Sequence, residues 1–385
     1  MFELKGTVPA NKNLKSLMLF LIWSFTVGMC ISFYYKNPLE NVIDFDQSMI
    51  LGTCAFFASY IFFSKLKQNF STTNDFLKEI AKIFGNAYAL AVIMSFVDFF
   101  VLFTPIPITI KLVKDSIVGG WQTFRITGSS AESSWMATHL LLVMPMYWFL
   151  VKNGVKRKWN AFLFFIAVIS FLGCLSLNGY LILAFASIAY LFVLAVKRKR
   201  MIQLLIGFVV ISIMCFFTWI ALQKIFAGMD AYYALRIFRL MDVQSFKDIL
   251  FVDGSVFIRL GFPIIGWQIF ADYPLLGTGA GSFAYMVRDY LLNFYPEALK
   301  YEEVWYYFKT GTSANTAIYS KLFSEFGLLG AILFLRFYLG SIKCFFKLNN
   351  KVFVFYGCIL AVLLFQQGSY AYVPMWVGLA VANNL

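Results

Sequence analysis

The sequence predicts an all-α polytopic membrane protein of roughly ten transmembrane helices, with one large outer-face loop that carries short amphipathic helices. Three observations predict it. Hydrophobic residues make up 61% of the chain and charged residues only 13%, about half the share of roughly 25% that a water-soluble domain carries. Apolar runs near spanning length recur from one end of the chain to the other. Lysine and arginine gather in alternate connectors between those runs, as topology signals do.

The runs fall at residues 14–35, 48–63, 83–103, 134–151, 159–177, 180–196, 201–222, 316–336, 352–367 and 372–382. The first has no small-residue cleavage site after it and reads as a retained helix. An N-terminus on the cytoplasmic side places Lys5, Lys12, Lys15, Lys65, Lys67, Lys78 and Lys82 there. It does the same for the cluster from Lys152 to Lys158, the KRKR run at 197–200, and Lys343, Lys347 and Lys351. The opposite short connectors hold only Lys36, Lys111, Lys114 and Arg125. Both termini are therefore expected in the cytoplasm.

Residues 223–313 interrupt the alternation and are expected on the outer face. A segment of this length without a role is uncommon, and its composition is not that of a Gly/Ser linker. Apolar positions Tyr232, Leu235, Ile237 and Leu240 alternate with Arg236 and Arg239, and 256–270 is apolar apart from Arg259 and Gln268. Both pieces read as helices lying on the membrane surface. The chain then divides into a helix bundle (1–222), an outer loop (223–315) and C-terminal helices (316–385).

The net charge of +13 is distributed as a topology signal, so nucleic acid is not expected as a partner. Six cysteines show no CxxC spacing and no histidine cluster, so no metal and no cofactor is expected. The residues that could carry chemistry are few. Arg125, Arg236, Arg239, Arg259 and Arg288 fall on the outer side, where a guanidinium can bind phosphate in a bidentate fork. Loop salt bridges are the plainer alternative for each. His139, Glu132, Glu325 and Asp98 lie in or beside apolar spans, where ionisable groups are functional candidates. In FADYPLLGTGAGSF at 270–283, Asp272-Tyr273-Pro274 signals a turn. There Gly277, Gly279 and Gly281 allow close backbone approach to a neighbour; as a nucleotide-binding motif the stretch is weak.

Three stretches carry a likeness. They are RITGSSAESSWMAT at 125–138, the run from Arg259 through DYPLLGTGAGSF, and SANTAIYSKLFSEFGLLG at 313–330. With them, and with one dominant outer loop near the C-terminal third, the chain resembles bacterial O-antigen and capsular polysaccharide polymerases of the Wzy type and the related O-antigen ligases. The ligases usually carry a histidine where Ala314 stands before Asn315, and relatives often carry Ser-Arg-Gly where Asn178 precedes Gly179. Both departures weigh against ligase.

The resemblance implies glycosyl transfer on the outer face of the bacterial cytoplasmic membrane, between an undecaprenyl-pyrophosphate-linked glycan donor and a lipid-linked acceptor unit. Membrane lipids and a chain-length regulator are the further partners it implies. On that reading Glu132, His139 and Glu325 compete as the catalytic base. Arg125, Arg236, Arg239, Arg259 and Arg288, with Asn315 and Tyr319, bind pyrophosphate or sugar. Trp305, Tyr306 and Tyr307 could stack on sugars or anchor at the interface. A ligase, a lipid-linked oligosaccharide flippase and an assembly protein without chemistry are the rival readings. A flippase predicts internal symmetry and no dominant loop, and the sequence has the reverse pattern.

Overall fold

The structure, a computed structural model, describes residues 12–103, 126–130, 132–199, 246–311 and 317–385. Among these residues there are helices and no strands. Apart from the short turns Phe246–Leu250 and Pro296–Lys300, they are in chain order α1 (Lys12–Tyr34), α2 (Leu39–Lys67), α3 (Thr73–Phe103), α4 (Ser133–Lys152), α5 (Arg157–Gly173), α6 (Leu177–Arg198), α7 (Gly254–Asp272), α8 (Phe283–Phe294), α9 (Glu302–Thr310), α10 (Ile318–Lys347), α11 (Lys351–Gln366) and α12 (Val373–Asn383). Seven of them, α1, α2, α3, α4, α6, α7 and α10, are long and apolar enough to cross a membrane.

The expectation of about ten spans is met in part. The expected helices at 159–177, 352–367 and 372–382 are present but short, at 17, 16 and 11 residues. The expected span at 201–222 lies outside the described residues. Two findings differ from the sequence reading. α7, expected as a surface helix, is also long and apolar enough to cross a membrane, though at 19 residues it is the shortest of the seven. α10 runs on past Arg336 to Lys347, because no proline follows and a single glycine, Gly340, is tolerated inside a helix at a cost of about 1 kcal/mol.

Side-chain caps fix several helix starts. Ser176 Oγ accepts from the Gly179 amide at 3.2 Å, Asn350 Oδ1 from Val352 at 3.1 Å, and Asp253 Oδ1 from Val256 at 2.7 Å. Such a cap is worth about 1 kcal/mol. α4 is the central helix: two-thirds of its apolar stretch is buried, against 22% for α6. A helix apolar all round belongs in the interior, whereas α6 presents Phe185, Leu191 and Phe192 outward.

Hydrogen bonds tie the connectors and chain ends into one end of the bundle. Lys67 Nζ donates to the Leu385 carbonyl (3.3 Å), Asn13 to Asn383 (3.0 Å), Asn384 to the Tyr60 carbonyl (3.1 Å), and Lys197 to the Leu348 carbonyl (2.9 Å). Lys65, Lys67, Lys78 and Lys82, the basic cluster at 152–158, and Lys197, Lys347 and Lys351 share this end, whereas Lys36 lies at the other, beside the start of α2. The starts of α2, α4, α6 and α10, the end of α11 and the loop helices lie at the other.

The loop helices form a satellite core of their own. Phe257, Phe262, Ile265 and Ile269 of α7 pack on Phe283, Val287 and Leu291 of α8, and on Val304 of α9. This core is joined to the bundle through backbone. α10 breaks at Gly327, which takes a left-handed conformation (φ 59°). The break releases carbonyls and amides that a hydrocarbon surrounding would leave unpaired, and the glycine-rich loop takes them up. Thr278 N donates to Ser324 O and Gly279 N to Glu325 O, both at 2.9 Å, while Leu328 N donates to Pro274 O at 2.8 Å.

The loop's other edge meets α1, whose Ser24–Gly28 segment is a π turn. Ala280 N donates to the Gly28 carbonyl (3.1 Å) and Ser32 Oγ to the Ala280 carbonyl (2.7 Å). Close approach requires glycine here. A Cβ on Gly277 (φ 73°) would sit 2.5 Å from the Glu325 carbonyl oxygen.

Candidate functional site

A cavity of 880 Å³ opens at the end of the bundle away from the lysine-rich connectors. α2 contributes Asn41, Asp44 and Gln47; α4 contributes Trp135 and Thr138, with Glu132 just before it; α6 contributes Asn178. α7 brings Ser255 and Arg259, α9 brings Glu303 and Tyr307, and α10 brings Lys321. The wall is completed by Gln366 at the end of α11 and by the connector 367–371.

Local structure aims several of these side chains. Arg259 lies in a π turn, Phe257–Gly261, a geometry frequent at functional positions. Its Nη1 donates to Ser255 Oγ. Glu132 is the N-cap residue of α4, and its Oε2 accepts from Ser134 Oγ at 3.0 Å. Tyr307 joins the two. Burial pushes its phenol up, and the carboxylates of Glu132 and Glu303 push the same way, with Tyr306 adding to them and the Arg259 guanidinium opposing. Glu132, Glu303, Arg259 and Tyr307 thus share one corner of the cavity.

The opposite wall is built by the connector after α11. The Gln367 carbonyl accepts from the Ile318 amide at 2.6 Å and so fixes the start of α10. Tyr370 is buried, and its ring packs edge-on against Phe45 and Phe334. The Lys321 ammonium lies 5.6 Å from the centre of that ring. The side chains of Asn41, Gln47, Asn178, Gln366 and Gln367 make no hydrogen bond among the described residues. Amides left open on a cavity wall are donors and acceptors for a polyhydroxylated ligand.

The residues expected from sequence divide into those the cavity gathers and those it does not. Glu132 and Arg259 line it, and Tyr307 stands beside them. His139 does not line it. Its Nδ1 lies 3.2 Å from Tyr88 Oη and its ring packs against Tyr372. Glu325 is fully buried in the interior beneath the glycine loop, away from the cavity surface. Neither of its oxygens meets a donor at hydrogen-bonding geometry; the Lys321 ammonium and the Phe283 amide act on it from farther off.

Arg288 is engaged with backbone. It donates to the carbonyls of Phe308 (2.7 Å) and Lys309 (2.8 Å), closing the C-terminal end of α9. Tyr319 packs between Trp267 and Phe365. Asp98 receives the amides of Thr127 (3.1 Å) and Gly128 (2.7 Å) and so anchors the segment before α4. Arg125, Arg236, Arg239 and Asn315 lie outside the described residues. Sequence reasoning passed over Lys321, Glu303, Asp44 and the Gln366-Gln367 pair, all of which line the cavity. The pair carried a usable signal, since two adjacent amides end an otherwise apolar helix.

No protein-family model and no curated protein matches this chain.

Proposed function

We propose that this chain is a polymerase of the bacterial cytoplasmic membrane that joins undecaprenyl-pyrophosphate-linked oligosaccharide units into an O-antigen or capsular polysaccharide on the outer face. The observation that carries the reading is a cavity in which a guanidinium, carboxylates, open amides and aromatic rings converge at one end of a helix bundle. Its 880 Å³ is near the upper end of the range of about 300–1,000 Å³ for small-molecule sites. That suits sugar heads held in the cavity with their polyprenyl tails among the helices. The lysine-rich end lies opposite, and the positive-inside tendency makes that end cytoplasmic, which turns the cavity outward with both termini inside.

In this reading the acceptor sugar's hydroxyl oxygen attacks the anomeric carbon of the donor. The new C–O bond forms as the bond from that carbon to the pyrophosphate oxygen breaks, and undecaprenyl pyrophosphate leaves. Glu132 accepts the hydroxyl proton, a role that suits a carboxylate at the cavity surface. Arg259 meets the charge that grows on the leaving pyrophosphate, where a planar fork offers paired donors. Open amides orient the sugar hydroxyls. His139 and Glu325 are given no step, because neither reaches the cavity surface.

The test is glycan length in the native host after deletion of the gene. A single repeat unit in place of a ladder supports polymerase. Long chains left on the lipid carrier indicate a ligase, and units trapped on the cytoplasmic face indicate a flippase.

A further inference from the structure

Two cationic side chains line the described part of the cavity, and they differ in how they are engaged. Arg259 gives Nη1 to Ser255. Lys321 is half-buried and makes no hydrogen bond and no ion pair within 4 Å among the described residues. Its ammonium is nevertheless held in place, 5.6 Å from the centre of the Tyr370 ring. Tyr370 is a fixed platform, sealed from solvent between Phe45 and Phe334. The backbone beneath Lys321 is fixed as well, through the Ile318 to Gln367 hydrogen bond at 2.6 Å and the clasp that the glycine loop places on Ser324 and Glu325.

An ammonium carries three donors, and a half-buried one gains most when an acceptor of opposite charge meets them. Here they point to a cavity whose other lining groups on the same wall are the open amides of Gln366 and Gln367. Among the described residues the Glu325 carboxylate acts on this ammonium only from beyond 4 Å, so a phosphate entering the cavity is a group that can meet these donors at close range. A cation on an aromatic face keeps its donors for such a ligand, because the ring takes none of them.

We propose that Lys321 is a ligand-binding residue of the cavity that contacts the phosphate groups of a polyprenyl pyrophosphate. This rests on the lipid-linked donor of the preceding section and adds a contact on the wall opposite Arg259. The ligand is then gripped from two helices, with a point charge on α10 and a planar fork on α7.

The test uses the full-length protein in phosphatidylcholine nanodiscs and titrates farnesyl pyrophosphate and farnesol. Wild type is expected to bind the pyrophosphate at least about tenfold more tightly than the alcohol, the scale of one charged hydrogen bond. Lys321→Gln is expected to lose about that factor, and Lys321→Arg to keep most of it. Equal melting temperatures show that the variants are folded. If wild type prefers the pyrophosphate and Lys321→Gln binds it equally well, the assignment of Lys321 is wrong while the lipid-pyrophosphate reading stands. If wild type shows no preference, both fall together. A preference abolished by adding phosphatidylglycerol to the nanodisc makes Lys321 a phospholipid contact and also overturns the proposal.

Discussion

Gly277→Ala is expected to destabilise the protein by about 3–5 kcal/mol, and the structure separates the contributions. Gly277 has φ 73°. A residue with a Cβ in that region costs roughly 1–2 kcal/mol. The added carbon would stand 2.5 Å from Glu325 O, where ordinary contact begins at 3.4 Å, so the loop must withdraw by about 0.9 Å. Withdrawal stretches the bonds from Thr278 N to Ser324 O and from Gly279 N to Glu325 O, both now at 2.9 Å. Each is worth about 1 kcal/mol net, and more where no water replaces it.

Gly154 supplies the control. It has the same φ of 73°, and nothing lies within 4 Å of its Cβ position. Gly154→Ala should therefore show only the conformational contribution of about 1–2 kcal/mol. Both variants can be compared by the midpoint of unfolding in a mixed-micelle SDS titration. If Gly277→Ala proves no less stable than Gly154→Ala, the clasp between the glycine loop and the break in α10 does not hold the fold together as argued.

Four further outcomes follow from the geometry taken together with the proposed function. Glu132→Gln should lower polymerisation by about 10²–10⁴-fold, the usual contribution of a general base, while His139→Gln should leave the ladder intact; a reversal of the two would move the base into the interior. Arg259→Ala should abolish long chains with the protein still in the membrane, and Arg259→Lys should restore little, because an ammonium has no planar fork. Arg288→Ala should destabilise by about 2–3 kcal/mol through the freed α9 carbonyls, with the glycan length of the surviving protein unchanged. Tyr307 ionises later in the fold than in the unfolded chain, since burial and then Glu132 raise its pKa. Its contribution to stability is complete below about pH 10 and is lost as pH climbs beyond it, so Tyr307→Phe should flatten the alkaline limb of a stability–pH curve.

Much of the helical framework could be read from apolar run length, because hydrocarbon permits so few other backbone arrangements. The glycine triplet was legible too: Gly277, Gly279 and Gly281 were read as sites of close approach, and each lies against neighbouring backbone. What that backbone belonged to was not legible. Gly327 sits in EFGLLG, where a glycine among apolar residues reads equally well as helix packing, and its break depends on a loop fifty residues earlier.

The candidate site was half legible for a related reason. His139, Glu325 and Glu132 look alike in one dimension, as ionisable groups beside apolar runs. Only rotation about the helix axis and neighbours distant in sequence decide that Glu132 meets the cavity and Glu325 meets the interior. Lys321 was hidden among topology-signalling lysines, which it matches in type and differs from in position.

The clasp also constrains how the chain is made. Ser32 and Ala280, which share a hydrogen bond, are 248 residues apart. α1 therefore enters the bilayer with the Gly28 carbonyl lacking its later partner, while most of the chain is still to be synthesised. In the proposed orientation, the loop that completes it must first be exported and then settle back between α1 and α10. Maturation is thus gated by the last third of translation, and a ribosome stalled before Glu325 leaves a nascent bundle with an unfilled seam. Pulse-labelled chains truncated ahead of that point should be cleared by membrane proteases faster than chains that extend through it.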